Sequence, residues 1–282
     1  MSSVSGSSLE GWVRFYATIK YQRTNHHLMA HPAMLRYPDG RVPLINLKEG
    51  DVAGYVLLPG SLERAKIASL MFDEVEEKGS HREFLTFTGS YKGVDVTVMS
   101  TGMGCFSAVT AVEELSAIGA HTFIRVGSCA TFQRKINLGN IIIASGCIRD
   151  EGCTLEYAPL AFPAIPDLDV LLALIDSAKE AGVPYHTGIV RTCDNFYMRD
   201  RSSQLNKQYT KLGAVGLEME LSGILIAATD LGKRAGGILT VGSNLTTGEN
   251  RYKGQRVDEF EGGEKSMIGI ALEAITKLEA KK

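Results

Sequence analysis

From about residue 51 the polar and apolar positions repeat one design: a short β-branched run, a break containing glycine, then a longer stretch with helical periodicity. Runs at Gly54–Leu58, Val94–Ser100, Thr122–Val126, Asn140–Ala144, Gly188–Thr192 and Gly237–Val241 predict strands, and their Val and Ile content predicts burial on both faces. Asp167 to Ala181 predicts a helix with Leu171, Leu172, Ile175 and Ala178 on one face, a stop at Gly182, and Pro184 just beyond. Met267, Ala271, Ala274 and Leu278 form a second apolar stripe near the C-terminus. Strands alternating with helices predict an α/β fold. Residues 47–282 read as a single domain, and residues 1–46 as an irregular N-terminal arm that opens with Ser and Gly. His26, His27 and His31 in that arm have no acidic or Cys companion at metal-ligand spacing and read as surface residues.

Composition narrows the classes. A chain of 282 residues, 44% hydrophobic and 22% charged, can bury one large core. Its formal charge of −2 provides no global field for a nucleic-acid polymer or an acidic membrane, so any anion must be bound locally. The five cysteines are odd in number and form no CxxC pair, which argues against a disulfide framework or a zinc site and fits the reducing cytoplasm. No window approaches ~18 consecutive apolar residues, and the first residues lack the layout of a signal peptide.

Three predicted strand-to-helix junctions share a composition: Leu58-Pro59-Gly60-Ser61-Leu62-Glu63-Arg64, Ser100-Thr101-Gly102-Met103-Gly104-Cys105-Phe106-Ser107, and Ile124-Arg125-Val126-Gly127-Ser128-Cys129. In open α/β sheets ligands sit at such junctions. Glycine lets the backbone approach a ligand, exposed amides at a helix start favour an anion, and Arg64 and Arg125 add forked donors suited to phosphate oxygens. None of the three matches GxxxxGK[ST], and no GxGxxG opens a helix, which lowers nucleotide triphosphates and dinucleotides as ligands.

These junctions belong to a longer series of blocks. Ala65–Leu70, Ser80-His81-Arg82-Glu83-Phe84, Ser100-Thr101-Gly102-Met103-Gly104, Glu113-Glu114-Leu115 and Phe123–Ser128 together resemble the nucleoside phosphorylase family. Glu156–Ala164 is similar to its uridine phosphorylase branch in particular, and Leu217-Glu218-Met219-Glu220-Leu221 to its ribose-binding segment. The resemblance spans roughly residues 47 to 278.

It implies a three-layer α/β/α sandwich around a mixed, partly barrel-like sheet. The implied activity is reversible phosphorolysis of uridine to uracil and ribose 1-phosphate, with inorganic phosphate as co-substrate and no organic cofactor. The alternatives are a purine nucleoside phosphorylase, a hydrolase of the same fold, and a non-catalytic storage or binding homologue. Gly60, Arg64, Arg125 and Ser128 fall where the family holds phosphate, and Arg82 where an arginine reaches a neighbouring subunit's site. A homo-oligomer with a dimer as its minimal unit, or a hexamer, is therefore expected. Glu218, Met219 and Glu220 match the ribose segment, and Phe196 the aromatic that stacks on the base. Glu83, Met103 and Ser107 fall where some members hold a monovalent cation between subunits.

The chain departs from the pattern in four places. Ser61 stands where many members have an acid that orients the phosphate arginine, and Cys105-Phe106 stands for Gly-Pro, with Phe106 a bulky addition. Leu44 or a neighbour falls where a partner's histidine is common. The segment Phe196 to Gln204 is short, leaving Arg201 and Gln204 as the expected donors to a uracil ring, whose two carbonyls flank one N–H. The purine branch has an Asp after the strand ending at Val241; here the chain reads Gly242-Ser243-Asn244.

Overall fold

The computed structural model describes residues 34–197 and 199–281; His26, His27, His31 and the rest of the N-terminal arm before Met34 lie outside the described residues. From Arg36 onward the chain forms one compact unit. The later part of the predicted arm takes part in it, since Val42 and Ile45 are buried and the Glu114 carboxylate accepts from the backbone amides of Leu44 and Ile45.

The chain runs β1 (Tyr55–Leu58), α1 (Leu62–Ser69), β2 (Glu74–His81), β3 (Phe84–Tyr91), β4 (Val94–Met99), α2 (Cys105–Ala117), β5 (Thr122–Thr131) and β6 (Ile141–Asp150). It continues through α3 (Leu168–Ala181), β7 (Tyr185–Cys193), α4 (Asp200–Lys211), β8 (Gly216–Glu218), α5 (Leu221–Asp230), β9 (Arg234–Asn244) and α6 (Val257–Glu279). The strands form one mixed sheet in the order β2-β3-β4-β1-β5-β8-β7-β6-β9. Because β5 also pairs with β9, the last five strands close on themselves as a small barrel. Helices α1, α3 and α6 pack on one side of the sheet and α2 and α5 on the other, giving the three layers.

β5 joins the open part to the barrel. It lies parallel to β1 with Leu58 opposite Arg125, and β1 lies parallel to β4, so three carboxyl ends meet in one place. The strand runs to Thr131, five residues past its predicted end at Val126, because its second half pairs with both β8 and β9. The third predicted junction is therefore strand, and Arg125 projects from the sheet rather than from a loop. β6 likewise extends past Ala144, continuing its pairing with β7 to Asp150.

Helix ends follow local chemistry. Ser61 caps α1 by accepting from the Arg64 amide, Asp167 caps α3 by accepting from Val170, and Gly182 closes α3 in the left-handed conformation. α3 turns a slightly different face inward than the apolar positions imply: Val170, Ala173, Leu174 and Ala178 are buried, whereas Leu172 is exposed. In α6 the predicted stripe of Met267, Ala271, Ala274 and Leu278 is buried throughout.

The seat of α6 depends on a close backbone approach. A Cβ at Gly263 would lie 2.2 Å from the Gly139 carbonyl oxygen, inside any tolerated contact. Gly263→Ala should therefore shift α6 outward and cost about 1–3 kcal/mol, the range for overpacking a tight contact. A thermal unfolding midpoint equal to that of the unchanged protein would contradict this contact.

Candidate active site

The carboxyl ends of β4, β1 and β5, the β8–α5 junction and the chain after β9 enclose a cavity of about 660 Å³. Gly60, Arg64, Arg125, Ser128, Phe196, Glu218, Met219 and Glu220 all border it. These residues are scattered over roughly 160 positions of sequence, and they meet because adjacent parallel strands end on one edge.

Arg125 is the centre of the arrangement. Its side chain is 4% exposed, Nε donates to Glu218 Oε2 at 2.8 Å, and Nη2 pairs with Glu220 Oε2. Nη1 is buried and has no hydrogen-bond partner among the described residues. Burial opposes the charge of Arg125, but the carboxylates of Glu220 and Glu218 outweigh it and raise its pKa above the ordinary arginine value. The guanidinium lies across Gly127, where a Cβ would come within 2.7 Å of Cζ. Residue 127 shares a strand face with residue 125, so only glycine leaves the guanidinium its place.

Glu218 is committed to internal partners. Besides Arg125 it accepts from the backbone amides of Glu220 at 2.8 Å and Leu221 at 2.9 Å, and from Thr192 Oγ1 at 2.5 Å. It therefore positions Arg125 and closes the start of α5, instead of presenting a free oxygen to a sugar hydroxyl. Glu220 is held by Arg125 on one oxygen and by the Gly104 amide at 2.7 Å on the other. Burial pushes the Glu220 carboxyl upward in pKa against the pull of Arg125. Cys105 packs beneath this segment, with its Sγ 3.4 Å from the Met219 carbonyl oxygen.

Arg64 is held from an element that sequence reading did not connect to it. Its Nε donates to Glu264 Oε1 at 2.6 Å, across a separation of 200 positions. Burial lowers the Arg64 pKa, with the neighbouring charges of Arg125 and Arg251 acting in the same direction and Glu264 opposing them. Glu264 thus supplies the carboxylate missing at Ser61, while the Ser61 hydroxyl caps α1.

Phe106 and the two residues expected to meet the base lie outside the cavity lining. Phe106 is 80% exposed and does not border the cavity, so it does not crowd the site. Arg201 and Gln204 are exposed on α4 and are not brought to the cavity. The inward face of α4 carries Ser202 and Asn206, which Arg191 grips through Nη1, with Ser202 Oγ at 3.1 Å. At helical spacing, 201 and 204 then point elsewhere. Asn195, Arg251, Tyr252 and Glu264 border the cavity without having been singled out, because no local motif marks them.

Arg82 sits outside the cavity at the tip of the β2–β3 hairpin, exposed and with φ of 55°. Beside it, Ser107 Oγ lies 2.6 Å from Glu83 Oε1 and also meets the Thr101 carbonyl oxygen. That hydrogen bond holds the Glu83 carboxyl below its usual pKa. Glu83 and Ser107 are therefore together, while Met103 is 71% exposed. No cluster of three or more His, Cys, Asp or Glu suited to a metal occurs among the described residues.

A cavity at the strand ends, bordered by two buried arginines and two buried glutamates, is suited to an anion beside a polyhydroxyl ligand. Residues 55–276 match the family model described as the phosphorylase superfamily, and the chain belongs to that family. It is 42% identical over 223 residues to the uridine phosphorylase of Thermococcus kodakarensis, covering 75% of this chain and 80% of that one. It is 34% identical to the guanosine phosphorylase of Halorubrum lacusprofundi, covering 84% and 98%. The crystal structure of uridine phosphorylase from Vibrio fischeri superposes with a TM-score of 0.80 at 34% identity, over 85% of this chain and 99% of that one. Among the described residues, no helix is long and apolar enough to cross a membrane.

Proposed function

We propose that the protein is a uridine phosphorylase that cleaves uridine with inorganic phosphate, releasing uracil and ribose 1-phosphate. The observation that carries this reading is the cavity in which Arg64 and Arg125 stand beside Glu220, with Phe196 at its rim. Similarity to uridine phosphorylases at 42% and 34% identity supports it. The purine reading has a relative in the guanosine phosphorylase, yet Gly242 and Ser243 border the cavity where the purine branch has its acid. Without a carboxyl group there, a purine ring lacks its proton source.

In the mechanism, phosphate lies against Gly60 and Ser128, and the free Nη1 of Arg125 supplies a donor aimed at an anion. Glu220 accepts from the ribose hydroxyls, Met219 packs on the sugar, and Phe196 stacks on the base. A phosphate oxygen forms the new bond at C1′ while the C1′–N1 bond breaks and its electron pair departs with uracil. The proton left on the phosphate monoester can then pass to the uracil anion. Catalysis here consists of holding the dianion beside a cationic sugar carbon and meeting charge with preset donors.

The same reading makes the enzyme a cytoplasmic homo-oligomer with a dimer as its minimal unit, Arg82 entering a neighbour's site. Glu83, Ser107 and the Thr101 carbonyl offer three oxygens, a donor set that fits a hard monovalent cation at such a boundary. Uracil should be released only when phosphate is present, with ribose 1-phosphate formed in equal amount. Following both products with and without phosphate checks this, and equal turnover in phosphate-free buffer would overturn the reading in favour of a hydrolase.

A further inference from the structure

Three guanidinium groups border the cavity, and they are not equivalent. Arg64 is paired with Glu264, and Arg125 with Glu218 and Glu220. Arg251 has no carboxylate within salt-bridge distance among the described residues, although its charge is felt at Arg64. Its Cζ lies 4.0 Å from the Phe260 ring centroid and 4.6 Å from that of Tyr252, and Nη2 donates to the Tyr252 hydroxyl at 2.9 Å. The two aromatic contacts fix the plane of the group, which borders the cavity and has N–H donors beyond the one given to Tyr252.

The segment that carries Arg251 is itself held. Asn250 Oδ1 accepts from the Tyr252 amide at 2.9 Å, and Asn244 Oδ1 accepts from Thr246 and Thr247 at 2.9 and 3.0 Å. The Tyr252 ring meets the Phe196 ring edge-on with centroids 6.3 Å apart, so Arg251 stands on the same side of the cavity as the stacking aromatic.

We propose that Arg251 is the donor to the departing base, its guanidinium hydrogen-bonding a uracil carbonyl oxygen as the C1′–N1 electron pair spreads onto the ring. This rests on the uridine phosphorylase reading and supplies the base contact that Arg201 and Gln204 do not make. A guanidinium donates hydrogen bonds without giving up a proton, so the interaction strengthens as the base becomes anionic. A guanidinium with no carboxylate partner among the described residues is placed to do this, because none of them competes with the base for its charge.

The test compares uridine with 5-fluorouridine, whose base leaves more readily, at saturating phosphate in Arg251→Ala and Arg251→Gln enzymes. The alanine change should lower kcat for uridine by about 100-fold, the scale of losing one preorganised donor. The loss should be markedly smaller for 5-fluorouridine, with KM for phosphate unchanged. Arg251→Gln, which keeps packing against Phe260, should show the same dependence on the leaving base, and thermal unfolding confirms that the variants are folded. Equal losses on both nucleosides would indicate a structural role and overturn the proposal, as would an effect confined to phosphate KM or an undiminished kcat. An unaltered enzyme that releases no uracil from uridine would instead remove the functional reading, and this proposal with it.

Discussion

Arg125→Ala should be the most damaging single change in the molecule, because it removes the proposed phosphate donor and the countercharge of two buried carboxylates together. The lost donor corresponds to about 2.7–4 kcal/mol of transition-state stabilisation, or roughly 100- to 1000-fold in kcat/KM for phosphate. The structural cost is separate. Glu218 and Glu220 are 3% and 4% exposed, and the Glu218 side chain is fully buried. Breaking a buried pair by deleting one partner costs about 3–5 kcal/mol, since the remaining charge is left uncompensated. Denaturant unfolding should therefore show a lower midpoint in the same protein that shows lost turnover. Arg125→Lys should recover part of the stability and little of the activity, since an ammonium cannot bridge two carboxylates and still present a donor to phosphate. An Arg125→Ala enzyme with full activity and an unchanged midpoint would place the site elsewhere.

Arg82→Ala should also remove most activity, although Arg82 lies outside the cavity of its own chain. The residue is exposed in the two-residue hairpin turn, where a positive φ is usual, and its side chain forms no ion pair among the described residues. If it completes a neighbour's phosphate site, mixing Arg82→Ala with Arg125→Ala protein under conditions of subunit exchange should restore activity. Half of randomly exchanged dimers would be hybrids, each with one intact site of two, so recovery should approach about a quarter of the unaltered activity. Two inactive proteins that stay inactive after verified exchange would contradict the shared site, as would a fully active monomer in sedimentation.

Much of this was legible before any coordinates. The buried strands announced themselves through Val and Ile, α3 through its cap and its terminal glycine, and α6 through its stripe. The β2–β3 hairpin did not, because Glu74–His81 reads EVEEKGSH and carries charge on an exposed sheet edge. Such charge protects an edge strand from pairing with other chains, and it also erases the alternation that would reveal the strand. β8 was too short, at three residues, to show a period.

The division at the site follows the same physics. Residues 125, 127 and 128 are near neighbours in the chain, as are 218 to 220, so each group was legible in the sequence, together with the α/β class and the family, whereas pairing with β9 decided that 127 and 128 continue the strand. Which carboxylate orients Arg64 was decided only by the tertiary structure. Glu264 reaches Arg64 because α6 packs beside α1, and no pattern at either position records a contact 200 residues away. The same holds for the base end of the cavity. Helical phase turned Arg201 and Gln204 to solvent, while closure of the barrel through β5 and β9 brought the chain after Asn244, with Arg251 and Tyr252, to the cavity rim. Local periodicity and spacing fix what each segment can become, but the partners of a buried charge are fixed by how the layers pack.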